Sequence, residues 1–500
     1  MNLIYGIKDR PKFPQLVLFA IQQLLAIMAA TIAVPSVVNS VTGSELTASA
    51  AIFGAGVGTI IYLLFTRSSS PVFLGSSFAF LGSMFSAFAG AATAGLAQEV
   101  GYWGFIIGAV MAGLVYVVIA VVIKFCGIRW IYALMPPVII GPTVAIIGLS
   151  LAGNAVGDLM SSSVSKTVME SGAELIDGMP TLVEKAVSVS VGSPYVALIC
   201  GLFTLAVVML CSTFGKKLGR LIPFIIGVLA GYALASVFAL IGSATGKEEL
   251  VIINYGAFQN IGLVSLPDFA FLKGGNPLDA FNGTYLLTLF VAYVPVAFVV
   301  FAEHLADHEN LSTIIHENLL ETPGLTRTLL GDGVGSMAGA FFGACPNTTY
   351  GESIACVAIT RNASTVSIWG AAVLCIIVSF LTPLMAFLQT IPNCVMGGVC
   401  IALYGFIAVS GFKMLQRVNL NENRNLFVAC VIFITGVGGM TLTFGAVEIR
   451  TVACALILGI LTNLLLSGKK EGENDQAPLQ KYSESKPVLR PRPCRRGRNL

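Results

Sequence analysis

SSPVFLGSSFAFLG (residues 69–82) and ACPNTTYGESIACVAITR (residues 344–361) share one uncommon arrangement. In each, a proline stands four or five residues before a glycine, Pro71 before Gly75 and Pro346 before Gly351. Small polar residues and then a new apolar helical stretch follow. Proline and glycine interrupt helices, so each segment reads as a short extended piece handing over to a half-helix. Non-helical backbone at membrane depth is tolerated only where it is buried in protein or lines a cavity. Two such segments at matching positions of two halves point to the substrate site of a transporter. A kink that merely packs is the alternative for either segment alone.

The membrane setting follows from composition. Of 500 residues, 56% are hydrophobic and 11% charged, and the mean hydropathy is +0.86, whereas a soluble domain carries about 25% charge. Nine basic and four acidic residues lie after Ser467, which leaves 40 charged residues for the first 467 positions. So few charges cannot cover a water-facing surface, which excludes soluble enzymes, nucleic-acid binders and disordered scaffolds. The net charge of +3 gives no reason to expect a nucleic-acid partner. Eleven cysteines, mostly inside apolar runs as at Cys200, Cys375, Cys430 and Cys454, and without a C-x-x-C, read as small buried hydrophobes. The segment Pro14–Val38 is too long for the core of a cleavable signal and reads as a retained first helix.

At roughly 20 apolar residues per spanning helix, fourteen spans are expected, starting near residues 14, 46, 71, 101, 131, 193, 221, 282, 325, 347, 366, 391, 424 and 446. With the amino terminus inside, fourteen basic residues, among them Lys8, Arg67, Lys216, Arg327 and Lys413, face the cytoplasm. Five fall outside: Lys166, Lys185, Lys247, Lys273 and Arg450. The positive-inside bias thus places both termini in the cytoplasm. The stretches 153–192 and 244–281 read as outer loops with short elements of their own. The basic, proline-containing tail 468–500 reads as disordered.

A second pair of segments strengthens the internal symmetry. MPPVIIGPTVAIIGLSLAG (135–153) and IPNCVMGGVCIALYGFIAVSG (391–411) each run from a proline through a glycine into an apolar stretch ending in glycine. The two pairs fall at spans 3 and 10 and at spans 5 and 12. The expected fold is therefore an all-α polytopic membrane protein of 7 + 7 inverted repeats, with short extended strands breaking spans 3 and 10.

Carboxylates mark where chemistry would sit. Glu303 ends an apolar run from Gly283, Asp307 follows at i+4 on the same helical face, and Glu352 stands beside Gly351. Ionisable groups inside spans are costly and are functional by default. A carboxyl group taken out of water holds its proton more firmly than an exposed one, which is what proton coupling requires. Helix N-termini offer unpaired N–H groups to a substrate carbonyl, and Phe78 and Gly351 stand where such amides would be presented. Glu303 as an interfacial residue at a helix end is the alternative. His304 and His308 have i, i+4 spacing, but H-L-A-D-H lacks a third ligand, so these and His316 read as interfacial or cytoplasmic, with no metal site. Glu448 and Arg450 read as an interfacial pair. The N-x-[ST] matches at Asn282, Asn347 and Asn362 carry little weight.

FAEHLADHENLS (301–312) and GLTRTLLGDGVGSMAGAFFGACPNTTYGESIACVAITR (324–361) resemble the nucleobase–cation symporter-2 family, also called nucleobase–ascorbate transporters, and within it the bacterial uracil permease branch. QQLLAIMAATIAVP (22–35), GSSFAF (75–80), and IPNCVMGGV with LYGFIAVSG inside 391–411 extend the likeness along the chain up to the tail. The resemblance implies a core domain of spans 1–4 and 8–11 (residues 14–124 and 282–388). It implies a gate domain of spans 5–7 and 12–14 (residues 131–243 and 391–467), and a homodimer.

It also implies roles. Glu303 would hydrogen-bond a nucleobase, Glu352 would read the ring, and the Gly351 and Phe78 amides would face the ring carbonyls. Ala30 would form a pocket wall and Tyr404 would stand beside it. Asp307, with Glu303, would couple transport to protons. Glu352-Ser353 stands where the purine branch has Gln-Asn, which favours a pyrimidine. The signature N-x-G-x4-T-[RK] departs here to Ser353-Ile354-Ala355 before Thr360-Arg361, and Gln23 stands where a span-1 histidine is usual. The expected function is a secondary active transporter of the inner (plasma) membrane, not an enzyme. It would import uracil by proton symport through alternating access, without a cofactor. Its partners would be the nucleobase, protons and the lipid bilayer. A xanthine or urate permease, or an anion transporter or channel of the same 7 + 7 architecture, is the alternative.

Overall fold

The computed structural model describes residues 3–127, 130, 134–161, 164–176, 179–190, 192–216, 219, 222–258, 262–416, 418–444, 447–449 and 451–467. The expected disordered tail (468–500) and Arg450, the expected partner of Glu448, lie outside the described residues.

Among the described residues, eight helices are long and apolar enough to cross a membrane, and five shorter apolar helices accompany them. The first half runs through α1 (Phe13–Thr42), α2 (Ala48–Phe65), strand β1 (Leu74–Ser76), α3 (Leu81–Thr93, entered by a 3₁₀ turn at Phe78–Phe80) and α4 (Val100–Cys126). It continues through α5 (Pro137–Ser150), α6 (Ala152–Leu159), a hairpin of β2 (Ser165–Ile176) and β3 (Met179–Ser190), α7 (Pro194–Phe214) and α8 (Pro223–Thr245). A connecting stretch holds the short α9 (Ala270–Lys273). The second half runs through α10 (Gly283–Ile315), α11 (Leu325–Phe342), β4 (Asn347–Thr349), α12 (Gly351–Thr360), α13 (Thr365–Ser379) and the short α14 (Thr382–Gln389). It ends with α15 (Asn393–Leu415), α16 (Asn423–Val437), a hairpin of β5 (Leu442–Phe444) and β6 (Val447–Ile449), and α17 (Thr451–Leu466).

Local chemistry explains many of the boundaries. Proline occupies the first helical positions of α1, α5, α7 and α8, where its missing N–H costs nothing. Gly43 and Gly246 close α1 and α8 in the left-handed region, at φ 67° and 68°. Asn282 is the N-cap of α10, its side chain accepting from the Thr284 and Tyr285 amides at 3.0 and 3.3 Å. The hairpins β2–β3 and β5–β6 were not legible in the sequence. The second delays the last helix to Thr451, a few residues after the expected start of the span.

The inverted symmetry is written in which helices touch. The contact of α4 with α10 is repeated by α13 with α1, and that of α4 with α11 by α13 with α2. Likewise α3 against α10 matches α12 against α1, α7 against α8 matches α16 against α17, and α5 against α16 matches α15 against α7. Two contacts map onto themselves, α2 with α11 and α5 with α15, so the pseudo-two-fold passes through both. The fold is thus an all-α polytopic membrane fold of inverted repeats, with β1 and β4 as the breaks in the two matching spans.

Glycine makes both self-matched contacts possible. Gly54 and Gly58 of α2 lie against Gly339 and Gly335 of α11, and a Cβ added at Gly335 would stand 2.6 Å from the Gly58 carbonyl oxygen. Close backbone approach through small residues is the main route to helix association in lipid. Gly335→Val is therefore expected to cost about 1–3 kcal/mol, the usual range for overpacking. A fall in the melting temperature of the detergent-solubilised protein checks this; an unchanged transition would mean that the two helices are free to separate there.

Candidate functional site

The two extended pieces expected from the Pro/Gly segments meet as an antiparallel pair, Leu74 opposite Thr349, Gly75 opposite Thr348 and Ser76 opposite Asn347. Strands this short leave backbone groups to satisfy. The Leu74 amide donates to Thr59 Oγ1 of α2 at 3.0 Å, and that hydroxyl also donates to the Leu74 carbonyl at 3.2 Å. The pair is crossed again where the Ser77 amide donates to the Pro346 carbonyl at 3.1 Å. A Cβ at Gly75 would strike the Tyr350 ring, so this close approach needs glycine. From the ends of this pair the helices restart at Phe78 and at Gly351. Their first amides have no acceptor within their own helices.

These restarts open on a cavity of about 580 Å³. Phe78, Gly351, Glu352, Glu303 and Asp307 all line it. Glu303 is not at a helix end: α10 continues to Ile315, so Glu303 and Asp307 lie within one long helix that faces the broken segments. The Thr349 hydroxyl donates to Asp307 Oδ2 at 2.8 Å, tying α10 to β4. The far wall comes from α5 through Val144 and Ile147, and from α15 through Leu403 to Met414. Ser212, Pro223 and the exposed Lys413 line the cavity as well.

Two expected residues stand off the wall. Ala30 is buried on α1 and does not line the cavity; Ala26, one turn earlier, does. Tyr404 is buried behind Phe78, their rings edge to face at 5.4 Å, and its hydroxyl has no partner among the described residues.

His304 and His308 correct an expectation. Read as interfacial or cytoplasmic, both are fully buried. His304 Nδ1 lies 2.6 Å from Asp332 Oδ2, and its Nε2 lies 3.0 Å from Thr328 Oγ1. His308 Nε2 lies 2.8 Å from the Tyr62 hydroxyl. Hydropathy missed them because α10 extends well beyond its apolar run, carrying its polar residues into the protein interior. Among the described residues no group of side chains is arranged to hold a metal ion.

Sequence reasoning also missed how two unusual residues meet. Gln23 Nε2 lies 3.2 Å from Ser353 Oγ, and the Phe73 amide donates to the same hydroxyl at 3.1 Å. Two of the three positions that depart from the family pattern are thus partners, joining α1, α12 and the approach to β1. Ser76 and Ser77 also line the cavity, and their hydroxyls have no partner among the described residues. Their signal was present in the small polar residues after Gly75. A second cavity of about 180 Å³, lined by Ser150, Asn154 and Thr451 among others, shares Phe78, Ala79 and Ile147 with the first. Those three residues separate the two cavities.

The site sets backbone donors at two half-helix ends against carboxylate acceptors on α10 and α12, in a recess between helix groups of an inverted-repeat membrane fold. Such a recess defines a permease. The chain matches the family model described as "Permease family" (Xan_ur_permease) over residues 14–444; it belongs to this family, the nucleobase–cation symporter-2 transporters. Among its relatives are the uracil permease of Bacillus caldolyticus, 36% identical over 471 residues covering 94% of this chain and 96% of the relative. That of Bacillus subtilis is 33% identical over 474 residues, 94% and 97% of the two chains, and that of Escherichia coli 33% over 462 residues, 92% and 93%. The fold is shared with more distant solved structures. The transmembrane domain of the cyanobacterial bicarbonate transporter BicA matches at TM-score 0.57 and 14% identity, covering 91% of this chain and 99% of that one. Murine Slc26a9, an anion transporter, matches at TM-score 0.59 and 12% identity, covering 92% and 69%.

Proposed function

We propose that this permease imports uracil together with protons by alternating access. The observation that carries the reading is the convergence of Glu303, Asp307 and Glu352 with the half-helix ends at Phe78 and Gly351 on one cavity. Uracil presents two N–H donors and two carbonyl acceptors on a planar ring. Carboxylates accept from the former and backbone amides donate to the latter. Glu303 and Glu352 bind the ring N–H groups, and the Phe78 and Gly351 amides meet the carbonyls. Ala30 and Tyr404 support the pocket from behind. Asp307, with Glu303, carries the proton. Three carboxyl groups facing one cavity repel one another when ionised, so substrate occupancy and proton occupancy are linked.

The fold alone is shared with anion carriers, and the wall chemistry separates them. An anion site calls for a cation near the half-helix ends. The one basic residue among the described lining residues is Lys413, exposed in the last turn of α15.

In this reading residues 14–124 and 282–388 form a core domain carrying the site, and residues 131–243 and 391–467 form a gate domain. The protein works as a homodimer in the plasma membrane with both termini in the cytoplasm. The larger cavity then opens inward, on the side of the exposed Lys413, and the smaller cavity marks the outer path.

Labelled uracil in proteoliposomes tests the reading. Uracil is expected to accumulate when an inward-directed proton gradient is imposed, and excess unlabelled uracil to compete. Uptake indifferent to the gradient would remove proton coupling. Competition by xanthine and not by uracil would replace the substrate.

A further inference from the structure

The proposed transport cycle uses Glu303, Asp307 and Glu352 and leaves a second titratable group unemployed immediately behind them. His304, Asp332, His308 and Tyr62 are each fully or almost fully buried, on α10, α11, α10 and α2. Their hydrogen bonds form one connected set. His304 Nδ1 meets Asp332 Oδ2 at 2.6 Å and its Nε2 meets Thr328 Oγ1 at 3.0 Å. His308 Nδ1 bonds to the His304 carbonyl at 2.8 Å, and the two imidazole rings stack with centroids 4.1 Å apart. His308 Nε2 meets the Tyr62 hydroxyl, which donates to Ser70 Oγ, both at 2.8 Å.

A histidine–carboxylate pair inside a membrane protein is expensive to maintain, and apolar residues of similar volume would pack there at lower cost. The position of this pair suggests a use. Thr349 stands between it and the cavity: its hydroxyl donates to Asp307 Oδ2 at 2.8 Å, and its backbone amide faces the Asp332 carboxylate. One residue of the broken span thus bonds to one acid and lies beside the other, whose Oδ1 has no hydrogen-bond partner among the described residues.

We propose that His304 and Asp332 hold one proton between them and, through Thr349, set the pH at which Asp307 loads and releases its own. They are positioning residues for proton coupling, distinct from the groups that meet the substrate, and the inference rests on the proton-coupled uracil reading above. An unpaired charge at this depth is unfavourable, so the pair keeps its proton, and where that proton rests decides how much negative charge Thr349 and Asp307 face. The other ionisable groups turned toward this region are Glu303 and His308 on α10, Tyr62 on α2, Glu352 on α12, and Tyr116 on α4, whose ring lies edge-on to His304 at 6.1 Å.

The experiment compares the pH profile of gradient-driven uracil uptake with uracil counterflow, which needs no net proton movement, in the wild type and in His304→Gln, Asp332→Asn, Thr349→Val and Thr328→Val. The midpoint of uptake is expected to move by at least about half a pH unit in the first three, within the range that nearby polar groups impose. Counterflow is expected to stay within about threefold of wild type, too small a change for loss of a substrate contact. For Thr349→Val the change follows from the loss of the hydroxyl that donates to Asp307 Oδ2. Thr328→Val removes, at nearly constant volume, the hydroxyl on His304 Nε2, which also donates to the Leu325 carbonyl, and keeps the question open to test should Asp332→Asn not fold; it too is expected to move the midpoint. Unmoved midpoints in variants that still exchange uracil would overturn the inference. So would loss of uptake and counterflow in equal measure in Thr349→Val and Thr328→Val, which would assign the set a purely structural role. A wild type that takes up no uracil would instead overturn the substrate reading.

Discussion

Glu352→Gln is expected to weaken uracil binding by about 10- to 150-fold, the equivalent of roughly 1.5–3 kcal/mol for a hydrogen bond to a charged group. The change is nearly isosteric, so the cavity wall keeps its shape. What is lost is acceptor character: the carboxylate accepts at both oxygens, whereas the amide sets a donor on one side. A ring N–H that met the carboxylate would then face another N–H, with both left unpaired. A smaller part of the loss comes from the helix. Glu352 is the acidic residue in the first turn of α12, where a negative charge offsets the positive end of the dipole by about 0.3–1 kcal/mol. Equilibrium binding of labelled uracil to the detergent-solubilised protein measures the first effect and thermal denaturation the second. Binding equal to wild type would take Glu352 out of the site.

Asp307→Asn is expected to separate exchange from accumulation. The asparagine oxygen still accepts from Thr349 Oγ1, which donates to Asp307 Oδ2 at 2.8 Å in the wild type, so β4 and α10 remain tied. The amide carries no titratable proton. Proteoliposomes loaded with uracil should therefore exchange it for labelled uracil at a rate within a few-fold of wild type. An imposed proton gradient should drive no accumulation above equilibrium. Accumulation that persists would move the coupling role to Glu303 alone, and loss of exchange as well would make Asp307 a binding residue.

Much of this arrangement was legible before any coordinates. Pro71, Gly75, Pro346 and Gly351 forecast the paired breaks, because proline and glycine leave few alternatives to an interruption in so apolar a chain. Scarcity of charge singled out Glu303, Asp307 and Glu352 for the same reason. The histidines escaped. His304 and His308 lie in a run with Glu303, Asp307 and Glu309, which reads as water-facing. Only the packing of α10 against α4 shows that this polar face turns into the protein. Long-range partnerships were equally out of reach: Gln23 and Ser353 are 330 positions apart, and nothing local to either names the other. Ala30 lies one turn beyond Ala26, the α1 residue that lines the cavity. An apolar wall residue is interchangeable in composition with its neighbour at i−4, so only geometry assigns Ala26 to the surface of the cavity. The hairpin β2–β3 was missed because a polar, serine-rich stretch lacks a hydrophobic pattern to mark its register.

The glycine contacts at the two-fold have a mechanical meaning. Where Gly54 and Gly58 meet Gly339 and Gly335, and where Gly141 meets Gly411, main chain rests on main chain. Side chains absorb displacement by changing rotamer; bare backbones have nothing to yield. Each contact therefore behaves as a weld, one fusing the two helices behind the carboxylates and the other fusing the two that form the opposite wall. In the proposed cycle, passage between the two cavities then falls to Phe78, Ala79 and Ile147, the side chains that line both, rather than to either weld.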